Sequence, residues 1–215
     1  MRIPFLRCCW FLLAATALAA CGETVLYQPV SFEQVNGRAA LFVESTPIAP
    51  LPEEMQRAFV DRLEAQLRES PYLGRVLTRA EVRRLLANDR ALLLRYGLYG
   101  ETLSVLGITD RETSVRLAEV GKVELLLMTQ VQQMVCDQCE TPYNDMVASI
   151  TVVEAVSGRL LWRVHVRESL LGEDTAGLRE TAASLSEAVA TEFERFVRPK
   201  WHRLRFRHLA PAASA

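Results

Sequence analysis

The chain has 215 residues, of which 25 are Lys or Arg and 26 are Asp or Glu. This near balance of charge argues against a nucleic-acid-binding protein, because such domains are normally strongly basic. The length suits one domain with a hydrophobic core of its own.

The first 20 residues have the composition of a secretion signal. Arg2 and Arg7 give a positive start, an apolar run extends from Cys8 to Ala17, and small residues lead into Cys21. The apolar run is too short to span a bilayer, which is typical of a signal peptide that is later removed. Removal takes two of the 25 basic residues away, so the secreted chain has 23 basic and 26 acidic residues and a net charge of −3.

The sequence Leu18-Ala19-Ala20-Cys21 resembles the lipobox of bacterial lipoproteins. The resemblance implies that the Cys21 thiol carries a diacylglyceryl group and that the new N-terminus carries an acyl chain such as palmitate. The residue after Cys21 is Gly22 and not Asp. By resemblance to enteric lipoproteins, this predicts that the protein is sorted to the outer membrane and anchored in its periplasmic leaflet. The alternatives are an ordinary signal peptide with a coincidental Cys, or an N-terminal membrane helix. No later segment is long and apolar enough to cross a bilayer as a helix, so we expect attachment by lipid alone.

The segment 21–37 shows no sustained period and is predicted to be a tether, with the domain spanning 38–198. The first predicted elements are a strand over 40–43, a helix over 53–69, a strand over 72–77 and a helix beginning at Arg79. Thr78 and Glu81 form a capping-box pattern at the start of that second helix. Its apolar residues continue to Leu94, and the pattern leaves open whether the helix breaks near Asn88. Three glycines are expected to interrupt the chain beyond Leu94: Gly97, Gly100 and Gly107.

The second half begins with another capping-box pattern, Thr109 with Glu112, which predicts a helix that ends at Gly121. Strands are predicted over 123–134, 146–156 and 160–168, with Ser157-Gly158 as a hairpin turn between the last two. A helix over 175–197 closes the domain. The order of elements predicts an α+β fold, an α/β sandwich in which helices pack on the faces of a mixed sheet that ends in a three-strand antiparallel meander.

Two stretches carry a resemblance to known envelope lipoproteins. Residues 117–123 (LAEVGKV) lead into the strand over 125–131, and residues 157–162 (SGRLLW) form a Gly-turn and Leu-Trp strand. Together with the helices over 55–67 and 79–86, these resemble the curli-assembly channel (CsgG-type) and penicillin-binding-protein activator (LpoB-type) families. The resemblance implies a periplasmic α/β domain that acts by protein contact, as an envelope assembly or activator factor. It also implies an alternative, an oligomeric secretion-channel subunit, although no second pair of long alternating segments supplies a membrane barrel.

Cysteines Cys136 and Cys139 are the pair that remains in the secreted domain once Cys21 is lipidated. Their C-x-x-C spacing in an oxidising compartment predicts a structural disulfide. A thiol-disulfide oxidoreductase is the alternative, and it would need the first Cys at the N-terminus of a helix. The pair lies between two predicted strands, which favours the structural disulfide.

Other catalytic patterns are weak. His165, His202 and His208 are scattered, and no Ser-centred elbow, Gly-rich phosphate loop or HExxH motif is present. A structural zinc site would need four ligands, and the sequence has no second Cys pair. We therefore expect no enzyme activity, no cofactor and no metal site.

The segment 199–215 is a basic tail in which Trp201, Arg203, Arg205 and Arg207 stand among further apolar residues. This pattern predicts either docking to anionic lipid headgroups or an acidic partner, or an added edge strand whose arginines discourage aggregation. The expected partners are the membrane, through the lipid, and another envelope protein. We expect no nucleic acid, and oligomerisation is compatible with the sequence.

Overall fold

A computed structural model of the chain describes residues 35–43, 51–140, 143–170 and 175–198. The predicted signal peptide, Cys21 and most of the tether lie outside these ranges. The basic tail with Trp201, Arg203, Arg205 and Arg207 also lies outside them.

The described residues form a mixed sheet with helices on both faces, as the sequence predicts. The strands are β1 (Ala40–Val43), β2 (Val76–Leu77), β3 (Leu125–Cys136), β4 (Tyr143–Glu154) and β5 (Arg159–Ser169). The helices are α1 (Glu53–Arg68), α2 (Arg79–Leu86), α3 (Arg90–Leu106), α4 (Arg111–Gly121) and α5 (Thr175–Val197). The strand order is β2-β1-β3-β4-β5, with β1 parallel to β2 and β3, and with β3, β4 and β5 forming an antiparallel meander. The predicted α+β sandwich is therefore confirmed.

Alternating side chains of the sheet enter two different cores. Phe42 and Leu127 belong to the first core, which also contains buried residues of α1 and α5. Leu41 and Leu126, one residue earlier on the same strands, belong to the second core with buried residues of α2, α3 and α4. The strands β1 and β3 are thus apolar on both faces where they pair. Helices therefore pack on both sides of the sheet, which gives three layers: helices, sheet, helices.

Several predicted boundaries are corrected by the structure. The strand predicted over 72–77 is reduced to Val76–Leu77, because residues 70–75 turn and reconnect to the segment before β1. The chain does break near Asn88: α2 ends at Leu86, and α3 begins at Arg90 with the Asp89 carboxylate accepting the Leu92 N–H at 2.9 Å. The capping box of Thr78 and Glu81 is confirmed, with both reciprocal hydrogen bonds present.

The prediction that Gly97 and Gly100 interrupt the chain is wrong, because both lie inside α3. Packing of the helix on the sheet outweighs the modest helix-breaking tendency of glycine. Gly107 does end the helix, in the left-handed conformation with φ of 66°. The prediction that Thr109 caps α4 is also wrong: Asp110 is the cap, and the Thr109 hydroxyl donates to the Gly158 carbonyl in the β4–β5 turn.

The β5 strand departs from strict alternation at one point. A bulge between Val152 and Val153 of β4 shifts the register, so that Leu161 and Trp162 are both buried in the first core. Trp162 stacks on Phe196 of α5, with ring centroids 4.5 Å apart. This aromatic contact fixes the closing helix against the sheet.

Candidate contact surfaces

The far end of the meander has one face that lies outside the second core, and Asp145 and Ser149 on this face are themselves buried. On β3, the side chains that follow Met128 on the same face of the sheet each form a row with their partners on β4 and β5. The three rows are Gln130-Ser149-His165, Gln132-Val147-Arg167 and Met134-Asp145-Ser169. None of them belongs to the second core, which ends at Met128 and Val153. We call these nine residues the open sheet face. Their opposite side rests on the first core, so the surface is backed by rigid packing.

Helix α3 forms the border of the open sheet face. The Tyr96 hydroxyl donates to the Phe42 carbonyl at 2.9 Å, which places the first half of the helix over β1. The Leu103 carbonyl accepts from the Arg163 guanidinium at 3.4 Å, which places the last turn over β5. Arg163 also donates to the Thr151 hydroxyl at 2.8 Å. A cation at a helix C-terminus is favourable because the last carbonyls carry partial negative charge.

Arg167 is the strongest candidate contact residue on the open sheet face. Its guanidinium donates to the carboxylate of Asp145, whose side chain is 5 % exposed, while the Arg167 side chain is 54 % exposed. The nearly buried carboxylate therefore holds the arginine in place and leaves part of it at the surface. A side chain that is already ordered loses less entropy when a partner binds.

His165 lies in the row next to Arg167 and is half-buried. Burial lowers the pKa of His165, and the nearby positive charge of Arg163 lowers it further. The histidine is therefore mostly neutral at pH 7. It gives the open sheet face hydrogen-bonding capacity without adding a fourth positive charge to the three arginines of β5.

The predicted cysteine pair lies at the tip of the β3–β4 hairpin. The structure places the two Sγ atoms at disulfide distance, with the Cα atoms of Cys136 and Cys139 5.6 Å apart. Cys136 is the last residue of β3 and is paired with Tyr143, so Cys139 stands within the connection and not on the opposite strand. Neither cysteine is at the start of a helix, which is the position that activates a redox thiol.

The described residues were compared with the patterns of a metal site and of a membrane-spanning helix. No group of three or more His, Cys, Asp or Glu side chains there could hold a metal ion. No described helix is both long and apolar enough to cross a membrane. Of the three histidines, His165 lies in the described part of the chain, and His202 and His208 lie beyond it.

Sequence reasoning missed the open sheet face. The alternation of Gln130, Gln132 and Met134 with apolar residues on β3 was the available signal. It did not reveal which residues of β4 and β5 stand beside them, since strand register depends on the turns and the bulge.

Comparison with known proteins gives structural likeness at low sequence identity. No protein-family model matches the chain, and no curated protein sequence matches it. Lipoprotein GNA1162 from Neisseria meningitidis is similar over 72 % of this chain and 99 % of its own, with 15 % identity and a TM-score of 0.43. The PelC dodecamer from Paraburkholderia phytofirmans is similar over 79 % of this chain and 95 % of its own, with 9 % identity and a TM-score of 0.41.

The hypothetical protein CT253 from Chlamydia trachomatis is similar over 75 % of this chain and 98 % of its own, with 10 % identity and a TM-score of 0.46. The similar structures thus include a bacterial lipoprotein and an oligomer. At these identities and TM-scores the likeness assigns no function, and it does not identify the CsgG-type or LpoB-type families.

Proposed function

We propose that this chain is a lipid-anchored envelope protein that acts by contact with another envelope protein, as an assembly or activator factor. The lipobox-like sequence ending in Cys21 supports the anchor, and Gly22 supports the outer membrane with the domain in the periplasm. The proposal is one of binding and not of catalysis. The observation that carries it is the open sheet face with Arg167 held by Asp145.

The composition of the open sheet face supports a protein partner. Arg and Met are enriched at protein interfaces, and this face contains Arg167 and a 37 % exposed Met134 beside the half-buried Val147. Arginine is also frequent among the few residues that carry most of the binding energy. A rigid sheet with one ordered arginine therefore fits a specific contact better than a deep substrate site.

Photo-crosslinking in intact cells tests the proposed contact. A photoreactive amino acid at Gln132 on the open sheet face should capture a discrete partner, whereas the same group at the exposed Ala58 on α1 should not. Arg167→Ala should weaken the captured complex about tenfold, since loss of an arginine anchor often costs more than 1 kcal/mol. The matched control is Arg62→Ala, which removes an exposed arginine from α1 on the opposite layer.

Equal capture at Gln132 and Ala58 would count against the proposal. An Arg62→Ala effect as large as that of Arg167→Ala would also contradict it, because the loss would then follow from net charge alone.

A further inference from the structure

Helix α3 is apolar on two opposite sides. Leu92, Tyr96 and Leu103 point into the second core, at positions i, i+4 and i+11. Leu94, Leu98 and Val105 repeat the same spacing two residues later, which is about 200° around the helix. We call these three residues the α3 outer stripe. They are 64 %, 61 % and 76 % exposed, respectively.

The α3 outer stripe is larger than a scatter of single surface leucines. Leu106, about 100° around the helix from Val105, and Ile108, just beyond the helix, are also exposed, by 65 % and 58 %. A helix that is apolar all round is normally buried on all sides. A contiguous exposed apolar surface of this kind is typical of a protein or membrane contact.

The polar groups beside the stripe are already satisfied within the helix. The Thr102 hydroxyl donates to the Leu98 carbonyl at 2.8 Å, and the Ser104 hydroxyl donates to the Glu101 carbonyl at 2.8 Å. This side of α3 can therefore leave water without stranding a hydroxyl donor. Glu101 is exposed and lies within the stripe, three residues after Leu98 and four before Val105, so its carboxylate has to reach past these side chains to the water boundary.

Charge distinguishes a lipid surface from other occupants. From residue 82 to residue 108, the stretch that contains the α3 outer stripe, the chain has four arginines against Asp89 and Glu101, which gives a net charge of +2; Arg95 is also ion-paired with Glu112. The four arginines are all exposed: Arg83, Arg84, Arg90 and Arg95. An apolar stripe beside a basic region is the pattern of a helix that lies in the interface of an anionic bilayer.

The length of chain before the domain also favours the bilayer. Thirteen residues separate Cys21 from Val35, which is buried in the first core. Thirteen residues can span at most about 45 Å, even when fully extended. A lipidated Cys21 would thus keep the domain close to the membrane, where a modest apolar contact is enough to orient it.

We infer that the α3 outer stripe docks on the lipid bilayer that the Cys21 anchor reaches, and this inference rests on the anchor in the proposed function. Leu94, Leu98 and Val105 enter the boundary between headgroups and acyl chains, and the neighbouring arginines contact anionic headgroups. The open sheet face lies beside α3 on the same side of the sheet. Docking therefore turns it toward the membrane, recessed by about 10 Å, the diameter of a helix.

A fluorescent label tests the docking in the complete lipidated protein. The protein is purified from membranes and reconstituted in vesicles of phosphatidylethanolamine and phosphatidylglycerol. An environment-sensitive dye is attached to Leu98→Cys, or to Ala65→Cys on the exposed side of α1 as the matched control. The dye at position 98 should emit at shorter wavelength and be quenched several-fold more by a lipid-borne quencher than the dye at position 65. Adding Leu94→Ser and Val105→Ser should reduce the quenching at position 98.

The other outcomes each overturn the inference in a distinguishable way. Protein that stays with the vesicles but shows equally water-exposed dyes at both positions refutes the docking alone. A dye at position 98 that is shielded from aqueous iodide but not reached by the lipid-borne quencher shows that another protein surface covers the stripe. Protein that does not stay with the vesicles refutes both the anchor and the docking.

Discussion

Gly74→Ala should destabilise the domain because the new methyl group would meet backbone atoms. A Cβ at Gly74 would lie 2.6 Å from the Gly37 carbonyl oxygen and 3.2 Å from the Arg38 carbonyl carbon. To relieve these contacts, the segment before β1 must move away. That movement threatens two hydrogen bonds, from the Gly74 N–H to the Arg38 carbonyl at 2.9 Å and from the Gly37 N–H to the Tyr72 carbonyl at 2.8 Å. Two lost hydrogen bonds and the residual strain should together cost about 3 kcal/mol.

The matched control is Gly97→Ala, in which the same methyl group meets nothing within 4 Å. Gly97 is inside α3, so alanine should stabilise the protein by about 0.5–1 kcal/mol through its higher helix propensity. The free energy of unfolding is measured in urea from the emission of Trp162, which is 5 % exposed, in a chain that begins at Gly22 and carries Trp201→Phe. If Gly74→Ala lowers the free energy of unfolding by less than about 0.5 kcal/mol, or if both variants change it in the same direction, the methyl group at position 74 does not clash with the backbone.

Two further predictions concern the open sheet face and the hairpin tip. Because the pKa of His165 is lowered in the fold, the unfolded chain binds a proton more readily, so the free energy of unfolding should fall as the pH drops below about 6.5. His165→Gln should remove this part of the pH dependence in urea titrations, and an unchanged pH profile would contradict the burial argument. The Cys136–Cys139 disulfide closes a loop of only four residues, so replacing both with Ser should cost no more than about 2 kcal/mol. A loss of cooperative unfolding in that double variant would show a larger structural role.

Most of the fold could be predicted from the sequence because its local signals agree with its packing. Thr78 and Glu81 cap α2 as their spacing predicts. The long helix over 175–197 is found with those bounds. In both segments the apolar positions repeat with one clear period and face one core, so local pattern and tertiary structure require the same conformation.

Helix α3 was predicted poorly for a physical reason. Its sequence is apolar on both sides, so no single face stood out, and Gly97 and Gly100 suggested a loop. The helix forms because Tyr96 and Leu103 are buried against the sheet, a contact between segments far apart in sequence. The same ambiguity concealed the α3 outer stripe, since exposed and buried leucines look alike in a sequence.

The open sheet face depends on strand register, which the sequence did not define. The position of Arg167 beside Val147 and near Asp145 requires the pairing of β4 with β5, and that pairing includes a bulge. Asp145 itself was not singled out, because a carboxylate near a hairpin turn is ordinarily solvent-exposed. Its near-complete burial beside an arginine becomes apparent only in three dimensions.

Mass spectrometry of the N-terminal peptide tests directly whether the protein carries a lipid anchor at Cys21. The protein is purified from the membranes of cells that express the full chain, and its first peptide is analysed before and after removal of ester-linked acyl chains. We expect a chain that begins at Cys21 and carries a diacylglyceryl group on the thiol and an acyl chain on the amine, with no such peptide from Cys21→Ala. A secreted chain that begins elsewhere, or that begins at an unmodified Cys21, would contradict the lipid anchor.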